Sequence, residues 1–216
     1  MYVPEYYKPD DASVRELLHK HGAVDLITQT PTGLRATMLP MIYVEPTDIT
    51  EAGALGFMLG HFARKNDHWR QPVIGEALAI VRGPDAYITP SWYATKREHG
   101  RVVPTWNYIT AHIYGQLVIH DDPAWVEQNV HQLVAKHESG RRPEWEVDDA
   151  PHAFITGQLR AIVGVELRIG RIEAKFKLSQ NRSPEDVDGV IDGLSEEDDS
   201  KMAEAVRSAA DGRSAG

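Results

Sequence analysis

VVPTWNYITAHIYGQLVI, residues 102–119, is the longest β pattern in the chain. One parity of it is Ile109, Ala111, Ile113, Leu117 and Ile119; the other is Trp106, Tyr108, Thr110, His112, Tyr114 and Gln116. Side chains alternate across a strand with period two, so the first set reads as core. The second, aromatic and polar, suits a ligand or a partner subunit. Gly115 marks a bulge or bend. Outward from this strand the chain offers more of the same kind. Residues 23–30 and 34–44 read as a hairpin about the Thr32-Gly33 turn, with Pro40 marking an edge or bulge. Residues 54–60 and 76–81 are short apolar strands, and Gly83-Pro84 is expected to turn the second into residues 85–89. Residues 161–178 are a long strand pattern broken at Gly170.

Helices fall between these strands. Asp10 and Asp11 precede a helix carrying Val14, Leu17, Leu18 and His21 on one face and ended by Gly22. Asp122-Pro123 starts another that runs to about Ser139, with Val126, Val130, Leu133, Val134 and His137 as its inner stripe. Residues 144–160 are mixed, with a short helix. Strands with helices inserted among them predict a mainly β (α+β) fold, a small β-barrel with peripheral helices. The strand–helix alternation of a doubly wound sheet and the pattern GxGxxG are missing.

The chain has 216 residues and a formal charge of −9, which disfavours a broad phosphate-neutralising surface for nucleic acid. It has no cysteine, so disulfides, zinc-thiolate centres and cysteine nucleophiles are excluded. No apolar run approaches the ~20 residues that span a bilayer, and the N-terminal residues do not read as a secretory signal; a cytoplasmic location is expected. Residues 183–200 hold eight acidic side chains and no Lys or Arg, and read as short helices starting at Ser183-Pro184-Glu185 and Ser195.

Two groups of residues point to chemistry. Arg168, Arg171, Lys175, Lys177 and Arg182 share a stretch with a single acid, Glu173. Lys175 and Lys177 lie on the same side of a strand and are followed by Ser179, Gln180 and Asn181, a pattern that suits a phosphate as well as a solvated barrel rim. Ser91-Trp92-Tyr93 and Thr105-Trp106-Asn107-Tyr108 set flat rings beside donors, which suits a heterocycle. A barrel or dimer core is the competing reading. The ten histidines form no HExxH, His61 and His68 merely flank Ala63–Asp67, and no metal centre is expected. No GxSxG elbow occurs.

Several strings together are similar to the PaiB-type FMN-binding negative transcriptional regulators. They are Met1–Pro4, Gly60–Asn66, Gly83–Tyr93, Val103–Tyr108 and Lys175–Arg182. The resemblance departs from the family at Met38, where His is common, and at Asp67, where Pro is common. It implies an FMN-binding split β-barrel, pyridoxamine-phosphate-oxidase-like, over residues 1–182, with 183–216 as an acidic helical appendage. It implies a homodimer with flavin in clefts at the subunit interface. Carried onto this sequence, the expected cofactor contacts are Arg35, Thr37, His61, Arg64, Asn66, Ser91, Trp92, Tyr93, Thr105, Trp106, Asn107, Lys175, Lys177, Ser179, Gln180 and Arg182. The family role is repression of protease production and sporulation. With no basic recognition helix and a net negative charge, direct specific DNA binding is not expected, so repression would run through a small molecule, a redox change or a protein partner. The competing functions are a flavin-dependent oxidoreductase acting on a small molecule and a haem-binding or haem-degrading split barrel.

Overall fold

The computed structural model describes residues 1–46 and 55–214. Its elements, in chain order, are α1 (Asp11–Lys20), β1 (Ala23–Thr30), β2 (Gly33–Val44), β3 (Phe57–Ala63), β4 (Ala77–Ile88), α2 (Thr95–Glu98), β5 (Thr105–His120), α3 (Pro123–Glu138), α4 (His152–Leu159), β6 (Ile162–Lys177), α5 (Pro184–Glu196) and α6 (Ser200–Ser214). Short 3-10 turns lie at Glu5–Tyr7, Asp67–Arg70, Pro90–Trp92 and Val147–Asp149. The strands close a barrel in the order β1-β2-β3-β6-β5-β4. The expected barrel with peripheral helices is what forms.

Local chemistry explains the boundaries. The Asp10 carboxylate caps α1 by accepting from the Ser13 N–H at 2.7 Å, and Asp122 and Ser183 do the same for α3 and α5, each ahead of a proline at the first helical position. The β1–β2 hairpin closes at Thr30↔Gly33, with Gly33 at φ +115°, which a side chain rarely adopts. β3 pairs antiparallel with β2 and β6, and its register sets His61 opposite Gly164. It starts at Phe57, and the expected strand start at Ala54 lies outside the described residues.

Three expected interruptions are absent. β4 runs straight through Gly83-Pro84 instead of turning there. Its inward side chains are Ala77, Ala79 and Val81 before the dipeptide and Ile88 after it, so the inward parity switches from odd to even. Pro84 has no N–H to give a ladder, and the strand absorbs it by a phase slip rather than by reversing. β6 is likewise continuous across Gly170, and its inward parity changes from Val163, Val165, Leu167 and Ile169 to Ala174. β5 keeps one parity, with Asn107, Ala111, Ile113 and Gly115 inward. Gly115 is no break. A Cβ there would overlap the carbonyl oxygen of Arg168, so the residue serves close strand approach.

The chain divides into two compact units, and β4, β5 and β6 each contribute to both. One unit comprises Met1–Val14, Arg82–Ala111 and Glu173–Gly216. Its core joins Ile88, Tyr93 and Leu178 to Val187, Val190, Ile191 and Leu194 of α5 and Met202, Ala203 and Val206 of α6. Most acidic groups of 183–200 are exposed around these buried apolar faces, whereas Asp186 is itself buried and its carboxylate accepts from the Thr95 N–H and hydroxyl. The other unit comprises Arg15–Val81 and His112–Ile172. There Val24, Leu26, Met41, Met58, Phe62, Val163, Val165 and Leu167 are buried. Among the described residues no helix is long and apolar enough to cross a membrane.

Candidate functional site

In the first unit the end of β6 and the turn after it gather three cations. Ser179 sits at φ +65°, the Arg182 N–H returns to the Ser179 carbonyl at 3.0 Å, and Gln180 closes the turn from both ends. Its Oε1 accepts from the Leu178 N–H and its Nε2 donates to the Phe176 carbonyl, each at 2.7 Å. The Lys177 ammonium donates to the Trp106 carbonyl at 2.5 Å and to Thr105 Oγ1. The Lys175 ammonium stands 5.5–5.8 Å from the ring centroids of Tyr2, Tyr7 and Tyr108. The Arg182 guanidinium lies 4.5 Å over the ring of Tyr93. None of the ion pairs among the described residues uses any of these three cations. Burial, then the charges of Lys175 and Arg182, push the Lys177 pKa down. The cluster therefore has an unmet demand for negative charge.

The aromatic candidates of this unit separate by environment. Trp106 is half exposed, its Nε1 donates to Asp85 Oδ1 at 3.0 Å, and its ring meets Tyr87 edge-on at 6.1 Å. Asn107 is fully buried and donates to Ser179 Oγ at 2.9 Å, so these two side chains satisfy each other. Ser91 Oγ accepts from Lys96 at 3.0 Å. Tyr93 is core, and its hydroxyl pKa is raised by burial against the lowering effect of Arg182. The Trp92 indole packs where a Cβ on Gly193 would stand, and its carbonyl where one on Gly189 would stand, so both glycines are needed to seat it on α5.

In the second unit, Arg35, Thr37 and Asn66 gather around His68, which is absent from the expected cofactor contacts. Thr28 Oγ1 lies 2.8 Å from its Nε2 and Thr37 Oγ1 lies 2.8 Å from its Nδ1. Asn66 Oδ1 accepts from the His68 backbone N–H at 3.0 Å, and its Nδ2 donates to Thr37 Oγ1 at 3.4 Å. Arg35 pairs with Asp67 at 3.3 Å. Burial and the Arg35 charge hold the His68 pKa below its ordinary value, with Asp67 opposing. The one sequence signal for this cluster is Asn66 two residues before His68, an Asx turn that starts the 3-10 helix. His61 is elsewhere in the unit, with Nδ1 buried and unpartnered and its pKa lowered by burial. Arg64 donates to the carbonyls of Arg160 and Ile162 at 2.7 and 2.9 Å and to Asp121 at 2.6 Å. The hydrogen bond to Arg64 lowers the Asp121 pKa.

FMN presents a phosphate, a flat ring system and a polar ring edge. Three cations with no ion-pair partner among the described residues and the exposed indole of Trp106, all in the first unit, supply counterparts to the phosphate and the flat ring, so the residues present fit the group.

A family described as "Putative FMN-binding domain" matches residues 1–171. The chain belongs to it. Protease synthase and sporulation protein PAI 2 of Bacillus subtilis (strain 168) is 31% identical over 211 residues, covering 95% of this chain and 96% of that protein. An uncharacterized protein of Emericella nidulans is 28% identical over 229 residues, 90% of each. Among solved structures, the flavocytochrome Anf3 of Azotobacter vinelandii superposes with a TM-score of 0.57 at 13% identity, over 81% of this chain and 72% of that one. The FAD- and haem-binding protein of Mycobacterium smegmatis gives 0.55 at 14%, over 80% and 74%. These two likenesses place the fold. FMN is the cofactor of this FMN-binding family, whose matched segment ends before Lys175, Lys177 and Arg182.

Proposed function

We propose that the protein is an FMN-binding regulator of gene expression that acts as a homodimer and does not itself read DNA. The observation that carries the flavin reading is the triad Lys175, Lys177 and Arg182, which no carboxylate among the described residues neutralises. The phosphate of FMN is the counter-charge we assign to it, with Trp106 as the exposed flat surface of the same unit. Bound FMN supplies hydride or single-electron transfer. The chain's own part is to hold the phosphate by charge-assisted hydrogen bonds and to set donors against the ring edge.

The regulatory reading draws on the Bacillus subtilis relative, which is named for protease synthesis and sporulation. The acidic α5 segment argues against a DNA-facing surface there. The homodimer reading draws on the outer face of β2, where Leu34, Ala36, Met38 and Pro40 are all exposed in succession. Leu34 and Met38 are 72% and 71% exposed, and the register sets Ile27 of β1 opposite Ala36. A contiguous apolar sheet face of this kind is a partner surface on a protein with this charge.

The test is a titration of flavin-free protein with FMN and, in parallel, with riboflavin. A charge-assisted contact is worth about 1.5–3 kcal/mol, so Lys177→Ala should weaken FMN ten- to about a hundredfold and riboflavin little. Equal losses for the two ligands would remove Lys177 from the phosphate. An absorbance near that of haem and none of flavin in the purified protein would overturn the reading as a whole.

A further inference from the structure

The hydrogen bonds around His68 fix the direction in which Thr37 can use its hydroxyl. Thr28 is 1% exposed and His68 is 3% exposed. The Thr28 hydroxyl proton has one acceptor among its partners, His68 Nε2 at 2.8 Å. A buried hydroxyl whose proton finds no acceptor is costly. Nε2 is therefore the unprotonated nitrogen, and in a neutral imidazole the proton is then on Nδ1. Nδ1–H donates to Thr37 Oγ1 at 2.8 Å.

A second donor reaches the same oxygen. The His68 backbone N–H can only donate, so the Asn66 atom facing it at 3.0 Å is the carbonyl oxygen. The Asn66 amide nitrogen is then the atom 3.4 Å from Thr37 Oγ1, and it too can only donate. A hydroxyl oxygen has two lone pairs. Both of Thr37's are occupied from within the protein, and what remains is its proton. Thr37 is half exposed, on the same face of β2 as Arg35.

We propose that His68 is a positioning residue which, with Asn66, makes Thr37 an obligate hydrogen-bond donor toward ligand. The site then accepts an unprotonated oxygen, phosphoryl or carbonyl, and refuses a group that offers only a proton. Burial keeps His68 neutral, which preserves this arrangement. Of the charged groups that act on it, Arg35 on β2 reinforces the neutral form and Asp67, its sequence neighbour on the 3-10 turn, works against it. A protonated His68 would carry Nε2–H against the Thr28 proton and break the chain of donors at its buried end. This assignment rests on Thr37 facing the bound flavin, and its first readout needs no ligand.

The experiment has two arms. In the first, ring 15N–1H NMR of the full-length protein, with His68 assigned through the His68→Gln spectrum, reads the tautomer. We expect the Nδ1–H form, unchanged between pH 7 and 8, and a shift of the population toward Nε2–H in Thr28→Val, whose buried methyl leaves nothing to donate to Nε2. An Nε2–H tautomer in the wild type, or an unaltered pattern in Thr28→Val, overturns the proposal whether or not FMN binds. In the second arm FMN and riboflavin are titrated into Thr37→Val and Thr37→Ser. One neutral hydrogen bond is worth about a five- to tenfold change in dissociation constant. Thr37→Val should lose that much and Thr37→Ser should restore it. A loss confined to FMN assigns the acceptor to the phosphate, and a loss shared with riboflavin assigns it to a ring carbonyl. No loss for either ligand in a Thr37→Val protein that still binds FMN refutes the ligand-facing role.

Discussion

His21 stands at the end of α1 with its Nε2 buried and without a partner and its Nδ1 against the Leu18 carbonyl. Burial, followed by the nearby Lys136 charge, lowers its pKa from 6.5 to about 4. The unfolded chain therefore takes up a proton that the folded one refuses. Stability from this group is fully present above pH 6.5 and is lost as pH falls toward 4, in all about 3 kcal/mol at ~1.4 kcal/mol per unit. Urea unfolding of wild type and His21→Gln at intervals between pH 7 and 4 should show the gap between them closing in the acid direction; a constant gap would contradict it. Single residues were also where the sequence was hardest to read. Lys177 and Trp106 are legible as candidates because a cation in a basic run and an aromatic in a polar strand carry their chemistry with them. Arg64 is a candidate on the same ground, and its guanidinium donates to two carbonyls and Asp121, a use that depends on where residues 121 and 160–162 return in the fold. His68 was missed for the converse reason. Its partners come from β1 and β2, some forty and thirty positions upstream, and spacing along the chain says nothing of them.

Elements were legible wherever period-two alternation was unbroken. β5 follows its sequence pattern in parity, with Asn107, Ala111, Ile113 and Gly115 buried and their neighbours not, because its two faces differ in chemistry. In β4 and β6 the sequence predicts interruptions because glycine and proline are usual signs of a turn. In both, the strand continues while its inward parity changes, and only the identity of the next buried residue, Ile88 or Ala174, reveals it. Gly115 makes a sharper case, since its function is to let β5 lie against the backbone of Arg168. The clash partner is main chain and cannot swing away. Gly115→Ala should therefore cost about 1–3 kcal/mol, the range of an overpacked interior, whereas Gly140→Ala, with open space around it, should lose only what its positive φ demands. Chemical denaturation of the two variants side by side checks the order; equal losses would mean that β5 and β6 can part locally at no cost.

For the molecule as a whole, the barrel could be anticipated from the run of strands, and the binding of α5 and α6 could not, because eight acids mask an apolar face that only helical phasing exposes. The outer face of β2 makes the assembly testable. Met38→Asp combined with Leu34→Asp sets charges on an already solvated face, so the fold should persist while light scattering falls from twice the single-chain mass to that mass. A double variant that keeps the larger mass would move the interface elsewhere. Gel-shift titration at physiological salt should give no nanomolar, sequence-selective complex with duplex DNA, against the ~10⁻⁸–10⁻¹¹ M of specific binders. The seating of Trp92 between Gly189 and Gly193 has one more consequence, for timescales. With its indole against Gly193 and its carbonyl against Gly189, Trp92 cannot leave unless α5 leaves with it, so the backbone amides of residues 90–93 and of α5 should open as one cooperative unit. Their deuterium uptake should then rise together in mild urea, with one shared free energy of opening.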